Sequence, residues 1–298
     1  VIRGLLESAP DLTAALPGIE KAAASDAPLL LVGEPGTGRS TLARAIHAAS
    51  LRAAGPLVEV DVAGIPTTLF ESELFGYRAG AFTGADQARE GRVARAEGGA
   101  LVLDHLEELP LGVQPKLLRL VAERRYSPLA GDEREARVRF VALAAEDLPR
   151  RVERGLFRAD LYYRLEVLAF RLPPLRQRRR DLPGIVESLL ADLGERLGRP
   201  GVGLAPKALD WILDHPWPGN LTQLRNVLER ALVLYEDGPL TPEPPEGGGD
   251  RPRTLLEVEK AEIRRALAYT RGHQGRAAEL LGISRKALWE KRKRYGIP

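Results

Sequence analysis

The 298-residue sequence contains no cysteine and no methionine. Without thiols it can hold no disulfide, no thiolate nucleophile and no zinc–thiolate site. Histidine is scarce as well: His47, His105, His215 and His273 lie far apart and share no metal-ligand spacing. Aromatic residues make up only 5%. No run approaches the roughly 20 apolar residues that a membrane-spanning helix needs, so no membrane partner is expected. The opening Val1-Ile2-Arg3-Gly4 has no charged-then-apolar leader pattern, and a cytoplasmic location is the expectation.

What is present is an ordinary balance of 44% hydrophobic and 29% charged residues, enough for two or three domains with their own cores. The charge is unevenly spread. Residues 251–298 hold 13 Lys/Arg against 5 Asp/Glu, a net +8 in a chain of only +3, which leaves the body at −5. A basic tail on a mildly acidic body points to a polyanion partner; a solvated helix face is the plainer alternative.

Apolar, β-rich runs alternate with helical patterns through the first half, which predicts a parallel α/β sheet. The candidate strands are Leu29–Val32, Leu57–Val62, Leu101–Leu103, Val138–Leu143 and Leu168–Leu172, with helices such as Ser40–Ala49 and Val113–Glu123 between them. Residues 1–172 thus read as an α/β subdomain. After Pro173-Pro174 and the charge run Arg176–Asp181, residues 173–237 read as a helical lid. Residues 238–253, rich in Pro and Gly, read as a flexible linker, and 254–298 as an all-helical unit.

Two motifs carry chemistry. Gly33-Glu34-Pro35-Gly36-Thr37-Gly38-Arg39-Ser40, followed by Thr41, connects a strand to a helix. It fits the phosphate-loop pattern G-x-x-x-x-G-K-[ST] except that Arg39 stands at the lysine. Glycines let backbone N–H groups wrap phosphate, and the helix start adds positive potential. Gly33, Gly36, Thr37, Gly38, Arg39, Ser40 and Thr41 are therefore candidate binding residues for ATP or ADP. A guanidinium is a planar fork and cannot fill the space of a compact ammonium identically. The second motif is the strand Ala100–Leu103 delivering Asp104 and His105. Ser40 and Asp104 are candidate magnesium ligands. His105 could accept a proton as neutral imidazole or merely cap a silent site, the latter being favoured.

The stretch Gly80-Ala81-Phe82-Thr83-Gly84-Ala85, after Glu71-Ser72-Glu73-Leu74-Phe75-Gly76, resembles the signature loop of bacterial enhancer-binding proteins, the AAA+ activators of sigma-54 RNA polymerase. Phe157–Leu165 resembles that family's arginine-finger segment, with Arg158 and Arg164 in the finger positions, and Leu172–Arg176 and Trp217-Pro218-Gly219-Asn220 match further segments. The resemblance spans about residues 17–298. It implies a AAA+ phosphate-loop NTPase fold with a helical lid, contact of the Gly80–Ala85 loop with the sigma factor through Phe82 and Thr83, and self-assembly from a dimer to a hexameric ring, or mixed rings with related active subunits. The family's N-terminal sensory segment is not legible here, so control is expected from concentration, a partner, or a segment outside this sequence.

The departures from the family pattern converge on one place. Arg39 replaces the lysine, His105 the water-activating glutamate, Ala144-Ala145 the Thr-Asn sensor, Thr222 the lid arginine, and Asp61 the coupling asparagine. Together they lead to the expectation of a DNA-binding regulator whose hydrolysis is weak or lost; the alternative is an active ATP-hydrolysing activator. A generic remodelling ATPase is disfavoured by the Gly80–Ala85 loop and by the tail.

In the tail, Thr254–Tyr269 reads as an amphipathic helix, Gly275–Leu281 as a second helix, Gly282-Ile283 as a turn and Ser284–Tyr295 as a third helix capped by Ser284. This is helix-turn-helix spacing, and Arg276–Ser284 resembles the Fis-type unit of the same family. Double-stranded DNA is the expected ligand, through Arg276, Ser284, Arg285, Lys286, Trp289, Lys291 and Arg292; Trp289 suits packing as well as contact.

Overall fold

The computed structural model describes residues 7–234, 238–242, 244, 259, 262–263, 266–267, 270 and 273–295. The chain divides into two compact units, Val1–Gly248 and Gly249–Pro298.

The first unit is built on five parallel strands: β1 (Leu29–Val32), β2 (Leu57–Asp61), β3 (Ala100–Asp104), β4 (Arg139–Ala144) and β5 (Leu168–Arg171). Their spatial order is β2-β3-β4-β1-β5, with every pairing parallel. Alternation along each strand sends neighbours to opposite faces. Leu30, Leu101, Leu103, Phe140 and Ala142 join one core, while Leu29, Leu31, Val102, Val141 and Leu143 join the other. All six residues of β4 are buried, which is why this strand reads as a continuous run rather than an alternating one.

Four helices beside the sheet and three in the lid matter for the site in this unit. Helix α1 (Arg39–Ala48) follows β1, α2 (Thr67–Phe75) follows β2, and α3 (Gln114–Glu123) lies between β3 and β4. Helix α4 (Ala159–Leu165) packs its buried Leu161 and Leu165 into the same core as Leu117 and Leu120 of α3. The lid comprises α5 (Leu182–Arg196), α6 (Pro206–Asp214) and α7 (Asn220–Leu234), packed around Leu193, Ile212, Trp217, Leu224 and Leu228. At these positions the sequence period is that of amphipathic helices.

The linker expectation is corrected at its start. Leu240 is fully buried in the lid core; its N–H donates to Gly203 O (2.9 Å) and its carbonyl accepts from Ala205 N (2.9 Å). A single apolar residue within a Pro/Gly-rich stretch finds the lid pocket, so the tether starts later than composition implied. Residues 243 and 245–253 lie outside the described residues.

In the second unit, α8 (Gln274–Leu280) and α9 (Arg285–Tyr295) pack Ala277, Ala278 and the fully buried Leu288 against Ile263, Ala266 and Leu267. Most of the expected helix Thr254–Tyr269 lies outside the described residues; Glu262-Ile263 and Ala266-Leu267 are helical. Among the described residues no helix is long and apolar enough to cross a membrane.

Candidate nucleotide site and DNA-facing helix

Parallel strands bring their C-terminal ends to one edge, the usual ligand edge of such sheets. Val32, Asp61, Asp104 and Ala144 all end there. The loop Gly33–Gly38 leaves β1 and enters α1 with Gly36 and Gly38 at φ 78° and 99°, left-handed values that favour glycine. Gly36 is also sterically required: a Cβ there would lie 2.7 Å from Gly219 O and 3.0 Å from Thr222 Oγ1. No side chain caps the start of α1, so its amides remain directed at the loop's concave face, where anions are held.

Arg39 does not reach into that concavity. It is buried, with Nη1 donating to Gly33 O (2.9 Å) and to Ala144 O, and with Nη2 3.7 Å from Asp104 Oδ1. Ser40 Oγ donates to Asp104 Oδ2 (3.1 Å), and the His105 amide donates to Asp104 Oδ1 (2.8 Å). Ser40 and Asp104 are the hard-oxygen pair that magnesium prefers. Here both Asp104 oxygens accept from protein donors, Ser40 Oγ being one of them, and a cation from the chain faces the carboxylate. The residues present therefore do not fit a divalent ion.

His105 sits at φ 55°, and its Nδ1 lies 2.8 Å from Asp61 Oδ1 across the β2–β3 boundary. The two substituted positions thus form one contact. The same Asp61 oxygen accepts from Ala63 N (3.2 Å). After β4, Ala145 N donates to Glu107 (3.0 Å), a backbone contact that no side chain can extend.

The lid closes directly on the loop, an arrangement the sequence reading missed in detail. Asn220 is fully buried. Its amide nitrogen donates to Pro35 O (3.0 Å) and Glu34 Oε2 (3.1 Å), and its oxygen accepts from Leu175 N (2.8 Å). Leu221 N donates to Gly36 O (2.9 Å). Arg176 forks onto both oxygens of Glu34 (2.9 and 2.6 Å) and holds its carboxyl below the ordinary glutamate value. Buried Arg178 donates to Asp181 (2.9 Å) and to Thr37 O (3.4 Å), while Asp181 accepts from the backbone amides of Asp11 and Leu12. The charge run Arg176–Asp181 is thus a brace joining the phosphate loop, the lid and the first helical turn; the i,i+3 spacing of Arg178 and Asp181 was the available signal. Between these elements lies a cavity of about 240 Å³, lined among others by Leu12, Thr37, Gly38, Leu172, Arg178 and Ile185. Thr41 also lines it.

The loop Gly80–Ala85 is closed by Gly80 N to Ala85 O (2.8 Å), with Gly80 and Gly84 at positive φ. Thr83 is exposed, Ala81 is half-buried, Ala85 is buried, and Phe82 is half exposed with its ring edge-on to Tyr77 at 4.9 Å. Arg78 pairs with Asp132 and donates its amide to Leu129 O (3.0 Å), tying the loop base to the neighbouring ribbon. Arg158 and Arg164 are exposed on and beside α4. The first is paired with Asp160 (2.7 Å), the second donates to Ala122 O (3.2 Å).

In the second unit, Ser284 Oγ accepts from Ala287 N (3.1 Å) and caps α9. Arg276, Arg285 and Lys286 are exposed, as is Trp289, over whose ring Lys293 Nζ lies at 5.3 Å. Lys291 is instead paired with Glu259, which also accepts from Tyr295 OH, and Arg292 is half-buried with its Nε out of solvent. The structure turns these two expected DNA residues toward the unit itself, because they share a face of α9 with the core contact.

A parallel sheet ordered in this way, a glycine loop at its ligand edge and a helical lid over that loop define a AAA+ phosphate-loop NTPase fold, here followed by a helix-turn-helix. Residues 5–171 match the family described as Sigma-54 interaction domain, residues 176–244 the AAA+ ATPase lid domain, and residues 254–295 the Bacterial regulatory protein, Fis family. The alginate biosynthesis transcriptional regulatory protein AlgB of Pseudomonas aeruginosa is 40% identical over 99% of this chain and 68% of its own length. ZraR of Escherichia coli K12 is 41% identical over 97% and 68%. The crystal structure of NtrX from Brucella abortus superposes with a TM-score of 0.71 at 33% identity, covering 94% of this chain and 66% of that one. NtrX has also been crystallised with ADP and with ATP. The chain belongs to the sigma-54-dependent family of DNA-binding transcriptional regulators.

Proposed function

We propose that this chain is a DNA-bound regulator whose AAA+ unit takes up ATP or ADP and turns it over slowly or not at all. The observation that carries the reading is Arg39: the one side chain meant to meet the β- and γ-phosphates is bonded to Gly33 O, Ala144 O and the Asp104 side. A guanidinium withdrawn from the phosphates cannot stabilise the charge that develops on them. The alanine pair at 144–145 removes a second polar contact, and exposed Thr222 a third.

The nucleotide cavity and the uncapped start of α1 support binding; the helix-turn-helix supports contact with double-stranded DNA through Arg276, Arg285, Lys286 and Trp289. The Gly80–Ala85 loop supports contact with sigma-54 RNA polymerase. Exposed Arg158 and Arg164 support an assembly in which they face a neighbouring copy or a related active subunit. The site of action is the cytoplasm.

A second reading, an active activator, has one observation in its favour. The Asp61–His105 contact engages Nδ1 and leaves Nε2 as the imidazole's other nitrogen, a geometry in which a carboxylate orients a proton acceptor. The two readings separate in a promoter-opening assay with sigma-54 polymerase and ATP. The proposed function predicts a shifted DNA fragment with no strand opening above the polymerase-only control. ATP-dependent opening supports the activator and overturns the proposal.

A further inference from the structure

We infer that Arg39 stands as a fixed cation beside Asp104, where a divalent ion would be held, so that the site takes nucleoside di- and triphosphates as metal-free anions. The inference deepens the nucleotide-binding reading and rests on it. The guanidinium is gripped on three sides: Gly33 O at the loop's start, Ala144 O at the end of β4, and Asp104 at the end of β3, 3.7 Å from Nη2. Only 6% of the residue is exposed.

The oxygen pair that would hold a metal is already joined, and its carboxylate faces the chain's own cation. Asp104 Oδ2 accepts from Ser40 Oγ at 3.1 Å, and Oδ1 accepts from the His105 amide at 2.8 Å. An ion held by the Ser40 hydroxyl oxygen with Asp104 beside it would have to stand against the fixed guanidinium, 3.7 Å from Oδ1. That cation cannot deprotonate, and its withdrawal would take a donor from the Gly33 carbonyl and leave the Ala144 carbonyl with the Gly33 amide alone. Like charges at such range repel strongly where water is excluded. A lysine ammonium at this position would be a compact charge on a flexible stem, with no second nitrogen to face Asp104 while the first is held by the two carbonyls.

The other carboxylates nearby each have a partner within the chain. Glu34 is forked by Arg176, Asp61 faces His105, and Glu107 accepts from the Ala145 amide. None offers a metal a replacement ligand in the loop. What remains for the polyphosphate is the ring of loop amides and the start of α1, which bind phosphate oxygens whether or not a metal accompanies them.

The test is calorimetric titration of ADP into the whole chain, in millimolar magnesium and again in excess EDTA. The wild-type affinities are expected to agree within about threefold, whereas Arg39→Lys, whose ammonium releases Asp104, should gain about tenfold or more from magnesium. Should Arg39→Lys fail to fold, manganese resonance on the wild type with ADP decides. No protein-bound manganese beyond the manganese–ADP complex in buffer is the expected result. A tenfold gain from magnesium in the wild type, or a distinct protein-bound manganese signal, overturns the inference while leaving nucleotide binding intact. Absence of ADP binding in both buffers overturns the nucleotide-binding reading itself, and the inference with it.

Discussion

Arginines at three positions show how one residue type is put to different uses by burial. Arg39 is withdrawn into the loop, Arg176 clasps Glu34 at the surface, and Arg139 is buried at the start of β4 with Nη1 and Nη2 donating to Ala23 O and Ala22 O. Burial pulls the Arg139 guanidinium below its ordinary value, yet no carboxylate accepts from it; it caps a helix end instead. Arg139→Ala leaves both carbonyls without that donor and is expected to cost roughly 2–4 kcal/mol in urea unfolding. The Glu34 clasp responds to acid. Its carboxyl is held low by the Arg176 hydrogen bonds, with a further one from Asn220. A depressed folded value means the contribution is present above the ordinary glutamate range and is lost as pH falls through the folded value. The melting-temperature difference between wild type and Glu34→Gln should therefore shrink from pH 7 toward pH 3, by comparison of thermal scans. Legibility ended at this scale. The substitutions at Arg39, His105 and Asp61 could be read along the chain, but their contacts could not. That Asp61 meets His105 and that Arg39 turns inward follow from strand adjacency and burial, neither of which has a local signal.

Elements were more legible, because their periodicities are local. The five strands and α1 lie within a residue or two of where apolar runs and glycine loops put them. The lid was legible as helices but not as a clamp, since Asn220 and Arg176 act across more than 140 residues of sequence. Leu240 was misread for the opposite reason: its neighbours have linker composition, and only the pocket beside Gly203 and Ala205 explains its burial. Within the helix-turn-helix, α9 is held by Leu288 at its centre. Leu288→Ala removes that anchor and is expected to cost about 2–4 kcal/mol. Circular dichroism melting of the second unit should move down, and DNA affinity should fall with it.

At the scale of the whole molecule, charge separates the two units: the basic excess of the last 48 residues stands on an acidic body. DNA affinity should fall linearly with the logarithm of salt concentration, and Lys286→Ala should reduce that slope by about one. Lys291→Ala should change it little, because Lys291 is paired with Glu259. Fluorescence anisotropy at several salt concentrations reads both. The central claim concerns the other unit, and steady-state phosphate release from ATP reads it most directly, at chain concentrations high enough for assembly. The account predicts release no faster than the buffer control, or at most far below the roughly one per second of an ordinary enzyme. Turnover at about one per second or faster would contradict it, and would mean that the Asp61–His105 pair and Arg39 have taken over the chemistry of the residues they replace.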